Sequence, residues 1–181
     1  TGTGDAAILF ADILLVVEPM GVGLEFARGE GPVIHRPVRS AADVARLAEV
    51  DPAESVPFVF ETVRRVRAAL GDRLPLIGFA GAPFTVASYL VEGGASREYL
   101  WTKRFMYADP AGWLRLLGLL ARTTGRYLAG QVAAGAQAVQ LFDSWVGCLA
   151  PDDYREYVLP HTRAAIEAVP PEVPVIHFGT G

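Results

Sequence analysis

Apolar residues gather in four short runs, at residues 6–11, 74–79, 136–142 and 173–178, each bounded by glycine or charged positions. Runs of this length without strict alternation predict strands buried on both faces. Between them the apolar spacing changes to three and four. Val59, Val63, Val66 and Leu70 share one helical face, and Gly71 ends it. Ser40-Ala-Ala-Asp43 resembles a capping box that opens an earlier helix. Asp109-Pro110 supplies the cap and first turn of a long helix to Ala134, with Trp113, Leu117, Leu120 and Leu128 on its apolar face and Gly135 after it. A further helix starts at Pro151 and bends at Pro160.

Strands alternating with helices predict a parallel sheet with helical crossovers, the α/β class. Order alone leaves a doubly wound sheet and half of an eightfold barrel both open. A complete (β/α)8 barrel takes about 250 residues, so four strands would build only part of one. No repeat, low-complexity tract or linker divides residues 1–181, which read as one domain or part of one.

Composition narrows the function. With 51% hydrophobic and 20% charged residues, the chain can bury a core and is not a disordered segment. A net charge of -4 offers no basic field to a phosphate backbone, so no nucleic-acid partner is expected. All 16 cationic side chains except Lys103 are arginine. Guanidinium groups hold carboxylates in bidentate pairs, although a skewed base composition is the simpler source of that bias. The single cysteine, Cys148, excludes an internal disulfide and a cysteine-built zinc site. His35, His161 and His177 form no metal-binding spacing, so no metal is expected. No apolar stretch is long enough to span a membrane, and the expected location is cytoplasmic. The opening Thr1-Gly-Thr-Gly4 runs straight into a strand, and the chain stops just after His177, where a strand turns into a loop. Both ends read as cut.

In parallel α/β sheets the ligand lies beyond the carboxyl ends of the strands. Asp12 stands there, followed by the apolar stretch 13–17. A buried carboxylate needs a cation or donors, so Asp12 is either a site residue or a structural group, a helix cap or one half of an ion pair. The small-residue segment 78–85 reads as a loop leading to Tyr89 and Glu92-Gly-Gly94, and it lacks the spacing of a Walker or dinucleotide motif. Tyr89 alone reads more readily as a packed ring than as a ligand donor. The third run ends in Asp143, Ser144 and Trp145. Ser144 lacks the G-x-S-x-G elbow, so hydrogen bonding suits it better than attack. Asp143 either holds the loop or touches substrate.

Three stretches carry a resemblance: residues 6–14, residues 78–94 and Gln140-Leu-Phe-Asp-Ser-Trp-Val-Gly147, with the weaker Pro174-Val-Ile-His-Phe-Gly179 after them. In this order they resemble the uroporphyrinogen decarboxylase family. The resemblance implies a partial TIM barrel and a homodimer in the cytosol or plastid. It also implies conversion of uroporphyrinogen to coproporphyrinogen by loss of four carboxyl groups, without metal or organic cofactor. On the matching positions, Asp12 accepts hydrogen bonds from the pyrrole N–H groups, and Tyr89 and Ser144 position substrate carboxylates. Ile8, Phe10, Phe79 and Phe142 line the apolar side of the cleft, and Gly81 permits close approach. His177 matches no catalytic position.

The family's arginine-rich amino-terminal segment and carboxyl-terminal histidine are missing. The chain is therefore expected to be an internal fragment, inactive and poorly stable alone. Cobalamin-dependent methyltransferases of the same superfamily hold zinc through an H-x-C pattern that is not found here. A non-catalytic tetrapyrrole-binding derivative would keep the aromatic lining and could dispense with Asp12.

Overall fold

The computed structural model describes residues 4–27 and 31–180. Of the opening tetrapeptide only Gly4 is among them, and Gly181 lies outside. Strand β1 (Ala7–Ile8) leads into a turn, a short 3-10 segment and the antiparallel hairpin β2 (Leu24–Ala27) and β3 (Gly31–Ile34). Three helices follow, α1 (Ala41–Val44), α2 (Pro52–Ser55) and α3 (Pro57–Leu70). Next come β4 (Leu76–Gly81), α4 (Pro83–Glu92), α5 (Leu100–Ala108), α6 (Pro110–Ala133), β5 (Ala138–Asp143), α7 (Pro151–Tyr157), α8 (Leu159–Glu167) and β6 (Val175–Gly179).

The four long-range strands pair in the order β1-β4-β5-β6, all parallel. A doubly wound sheet reverses its strand order at a switch point. Here the order advances in one direction, as in the wall of a (β/α)8 barrel, and the fold is α/β with a partial barrel of parallel strands. The predicted strands are present, shifted one or two residues toward the carboxyl end in all but β1. They are not buried on both faces. Leu76, Val139 and Leu141 are fully buried under the helices, whereas Ile8, Ile176 and Phe178 stand exposed on the opposite face. Among the described residues, helices cover only one side of the sheet.

The helix signals act as read. Ser40 Oγ accepts from Asp43 N, and Asp43 Oδ2 accepts from Arg39 N at 2.9 Å. Asp109 caps α6 through Gly112 N (2.9 Å) and also takes Ala41 N (3.1 Å), so one carboxylate starts two helices. The bend expected at Pro160 falls at Val158, because proline is accepted in the first turn of α8 and not inside α7. Residues 78–85, read as a loop, are the end of β4 and the first turn of α4. Proline at the first position of α4 lets the helix start directly after the strand. Helix α6 fills the outer layer with Trp113, Leu116, Leu117, Leu120 and Leu128, all buried. Its Gln131 is buried as well and closes both backbone groups of Phe79: Phe79 N donates to Oε1 (2.8 Å), and Nε2 donates to Phe79 O (2.9 Å). That pairing lies past the last β1–β4 partners, Ile8 and Ile77.

Candidate active site

The sheet brings one phenylalanine per strand into a row. Phe10, just past β1, meets Phe79 of β4 with ring centroids 4.9 Å apart; Phe79 meets Phe142 of β5 at 4.7 Å, and Phe142 meets Phe178 of β6 at 5.1 Å. The rings tilt by about 40–55°, the offset arrangement aromatic quadrupoles favour. The row is open on one side: Phe10 is 73% and Phe178 42% exposed. Ile8 borders it, 47% exposed. The row makes a hydrocarbon surface below the carboxyl ends of the strands.

Polar groups stand above it. Asp12 is half-buried, and its Oδ1 accepts from Leu14 N at 2.8 Å. No helix starts there: the contact closes a turn over residues 13–17 instead of the helix cap considered, and it leaves the second oxygen for another donor. Tyr89, on α4, stacks on Trp145 with centroids 3.9 Å apart. Burial, and then the negative charge of Asp12, push the Tyr89 phenol above its usual range. The phenol is thus a hydrogen-bond donor at neutral pH, beside a carboxylate that can accept from a ligand. Tyr99 meets Trp145 edge-on at 5.1 Å. It has a left-handed backbone (φ 54°), and its N–H donates to Ser96 Oγ at 3.1 Å.

Ser144 is exposed at the end of β5, and its carbonyl accepts from Thr180 Oγ1 at 2.6 Å. It reaches the rim as the chain neighbour of Trp145. Gly81 has a different reason to be glycine than ligand approach. A Cβ there would lie 2.7 Å from Val86 Cγ2 and 2.8 Å from Ile13 Cβ, so its small size lets β4, α4 and the turn after Asp12 close on one another. The close approach it permits is between parts of the protein, and it sets the distance between Asp12 and α4.

Sequence reading gave no role to Trp145, Thr85, Tyr99 or Phe178. Phe178 carried a usable signal, since it occupies the register position of Phe142. Thr85 and Tyr99 carried none, because their importance depends on contacts across elements. Burial pushes the Cys148 thiol above its ordinary range. Among the described residues no group of three or more His, Cys, Asp or Glu side chains is placed to hold a metal ion.

Strands advancing in one direction, with an aromatic surface and polar side chains at their carboxyl ends, define a section of a barrel domain. The uroporphyrinogen decarboxylase (URO-D) family model matches residues 2–181. The chain belongs to that family. It is 59% identical over 177 residues to the uroporphyrinogen decarboxylase of Sorangium cellulosum, covering 97% of this chain and 51% of that protein. To the Carboxydothermus hydrogenoformans uroporphyrinogen decarboxylase it is 55% identical over 175 residues, 96% of this chain and 50% of the relative. The chain thus spans about half the length of these relatives. A methyltransferase from Methanosarcina mazei superposes with a TM-score of 0.79 over 98% of this chain and 52% of its own, at 19% identity, a likeness of fold alone.

Proposed function

We propose that the protein carrying this chain is a carboxy-lyase that removes the four acetate carboxyl groups of uroporphyrinogen to give coproporphyrinogen. What supports this reading is the phenylalanine row along the strands, with Asp12 and Tyr89 at the carboxyl ends and the Asp12 charge acting on the Tyr89 phenol, in a chain of this family. Asp12 accepts the pyrrole N–H groups, and the hydrocarbon part of the macrocycle lies against Ile8, Phe10, Phe79 and Phe142. Tyr89 and Ser144 donate to substrate carboxylates.

Loss of carbon dioxide from an acetate arm leaves an electron pair that water stabilises poorly. Protonation of a pyrrole ring carbon first creates an iminium-like acceptor. The C–C bond then breaks toward the ring, carbon dioxide leaves, the exocyclic carbon takes a proton to become methyl, and the ring gives its added proton back. A fixed anion beside the cationic ring favours that sequence, and Asp12 supplies it. Residues of this chain need no metal or organic cofactor for any of these steps.

The protein is read as a cytosolic homodimer, without nucleic-acid or membrane partners. The homodimer and the location come from the family reading; against nucleic acid stands the net charge of -4, and among the described residues no helix is long and apolar enough to cross a membrane. The 181 residues alone are expected to be inactive and poorly stable, since Ile8, Phe10, Ile176 and Phe178 stay exposed. Anaerobic turnover of uroporphyrinogen, with products separated by carboxyl number, tests the reading in the full-length protein and its Asp12→Ala variant. Stepwise loss of carboxyl groups, abolished in the variant, is the expected result. No decarboxylation by the full-length protein would overturn it.

A further inference from the structure

Asp143 is a fully buried carboxylate to which the reaction above gives no part. Its Oδ1 accepts from the Thr85 hydroxyl at 2.8 Å. Its Oδ2 has no hydrogen-bond partner and faces His177 Nε2, on β6, at 3.4 Å. Buried acids are rarely left so lightly bonded, and one that persists needs a reason.

The reason lies in the direction of a proton. A threonine hydroxyl has one hydrogen and two lone pairs, whereas an ionised carboxylate only accepts. Asp143 therefore draws the Thr85 hydrogen toward itself and leaves the Thr85 lone pairs facing the other way. There the Trp145 N–H donates to Thr85 Oγ1 at 3.2 Å. Trp145 in turn lies flat on Tyr89, whose phenol is within the influence of the Asp12 charge.

We propose that Asp143 is a positioning residue for the cleft: its carboxylate orients the Thr85 hydroxyl, Thr85 fixes the Trp145 backbone, and Trp145 holds Tyr89 toward Asp12. His177 covers the second carboxylate oxygen from β6 and ties two neighbouring strand ends to the relay. The inference rests on the reading of Asp12 and Tyr89 as the substrate-binding pair. It also accounts for two residues with opposite exposure in sequence, Asp143 inside and Ser144 outside: one sets the rim and the other faces the ligand.

The chemistry makes a graded prediction. Thr85→Ser keeps the hydroxyl, and Thr85→Val removes it at nearly constant volume. Asp143→Asn can still accept from Thr85 but can also reverse the hydrogen bond, so it keeps the relay only in part. In the full-length protein, the near-ultraviolet circular dichroism lost on Trp145→Phe identifies the Trp145–Tyr89 band, and anaerobic kinetics with uroporphyrinogen give kcat and KM separately.

Thr85→Val and Asp143→Ala should lose that band and raise KM about tenfold, the worth of one hydrogen bond to a charged group, with a smaller change in kcat. Thr85→Ser should retain the band and the parent KM, and Asp143→Asn should fall between. A Thr85→Val protein with the parent band and KM would overturn the relay, as would a Thr85→Ser protein as impaired as Thr85→Val. If Asp143→Ala does not fold, the two Thr85 variants decide alone. If the full-length protein leaves uroporphyrinogen unchanged, the proposed function fails, while the band still decides the relay.

Discussion

Tyr89 and Trp145 lie face to face, ring centroids 3.9 Å apart and planes 26° from parallel, although 56 positions separate them in sequence. The stack joins α4 to the loop after β5, so one rim residue cannot shift without the other. Replacing Tyr89 by Phe keeps the stack and removes only the hydroxyl. KM for uroporphyrinogen should rise about tenfold, the value of one hydrogen bond to a carboxylate, with the melting temperature unchanged. A lowered melting temperature at constant KM would assign the phenol to packing.

Asp12→Asn separates the two roles of that side chain. The amide oxygen can still accept from Leu14 N, so the turn and the stability should persist. The anion is gone, and kcat should fall by about 10²–10³, as when a site loses one preorganised electrostatic group. Steady-state kinetics beside a urea titration measure both.

Gln131→Leu should destabilise the protein by about 3 kcal/mol, because two buried backbone groups of Phe79 lose their partners together. The urea midpoint is the readout. A change under about 0.5 kcal/mol would mean that other donors replace the amide.

Gly125→Ala sets two effects against each other. Alanine improves helix propensity by about 1 kcal/mol, but its Cβ would lie 2.7 Å from Ala168 Cβ. Overpacking of α6 on the end of α8 costs about 1–3 kcal/mol, so a net loss of stability is expected, read from the thermal midpoint.

Burial holds the Tyr127 phenol at about 12, above the ordinary 10.0. The folded state therefore keeps its proton longer than the unfolded one. The resulting stability is complete below about pH 10 and is lost as pH rises toward 12, in total about 3 kcal/mol. Urea midpoints between pH 9 and 12 should fall less steeply for Tyr127→Phe than for the parent.

Much of this arrangement is readable from local pattern, and the remainder depends on what crosses between elements. Asp109-Pro110 and Ser40 are read correctly because caps act within a few residues. The strands are found because apolar runs mark them, yet their open face is missed, since a run cannot reveal whether one side or two will be covered. Segment 78–85 is misread because its small residues suit a loop. In the structure they let β4 turn directly into α4. Asp12, Tyr89, Phe10, Phe79 and Phe142 are named together through family resemblance, whereas Phe178 joins the row only through the pairing of β5 with β6. Asp143 shows in the sequence only as an acid at a strand end, and the single proton of Thr85 that gives it a purpose is visible only in three dimensions.

Under the proposed function, the phenylalanine row divides the tasks of recognition. Carbon surfaces grip without direction: they favour the hydrocarbon face of a ring in any rotation about its own axis. Orientation must then come from the rim alone, where Asp12, Tyr89 and Ser144 stand. A macrocycle with several equivalent arms could be turned on such a surface without being released, each arm presented in succession to one fixed anion. A single polar corner would then serve every side of its substrate.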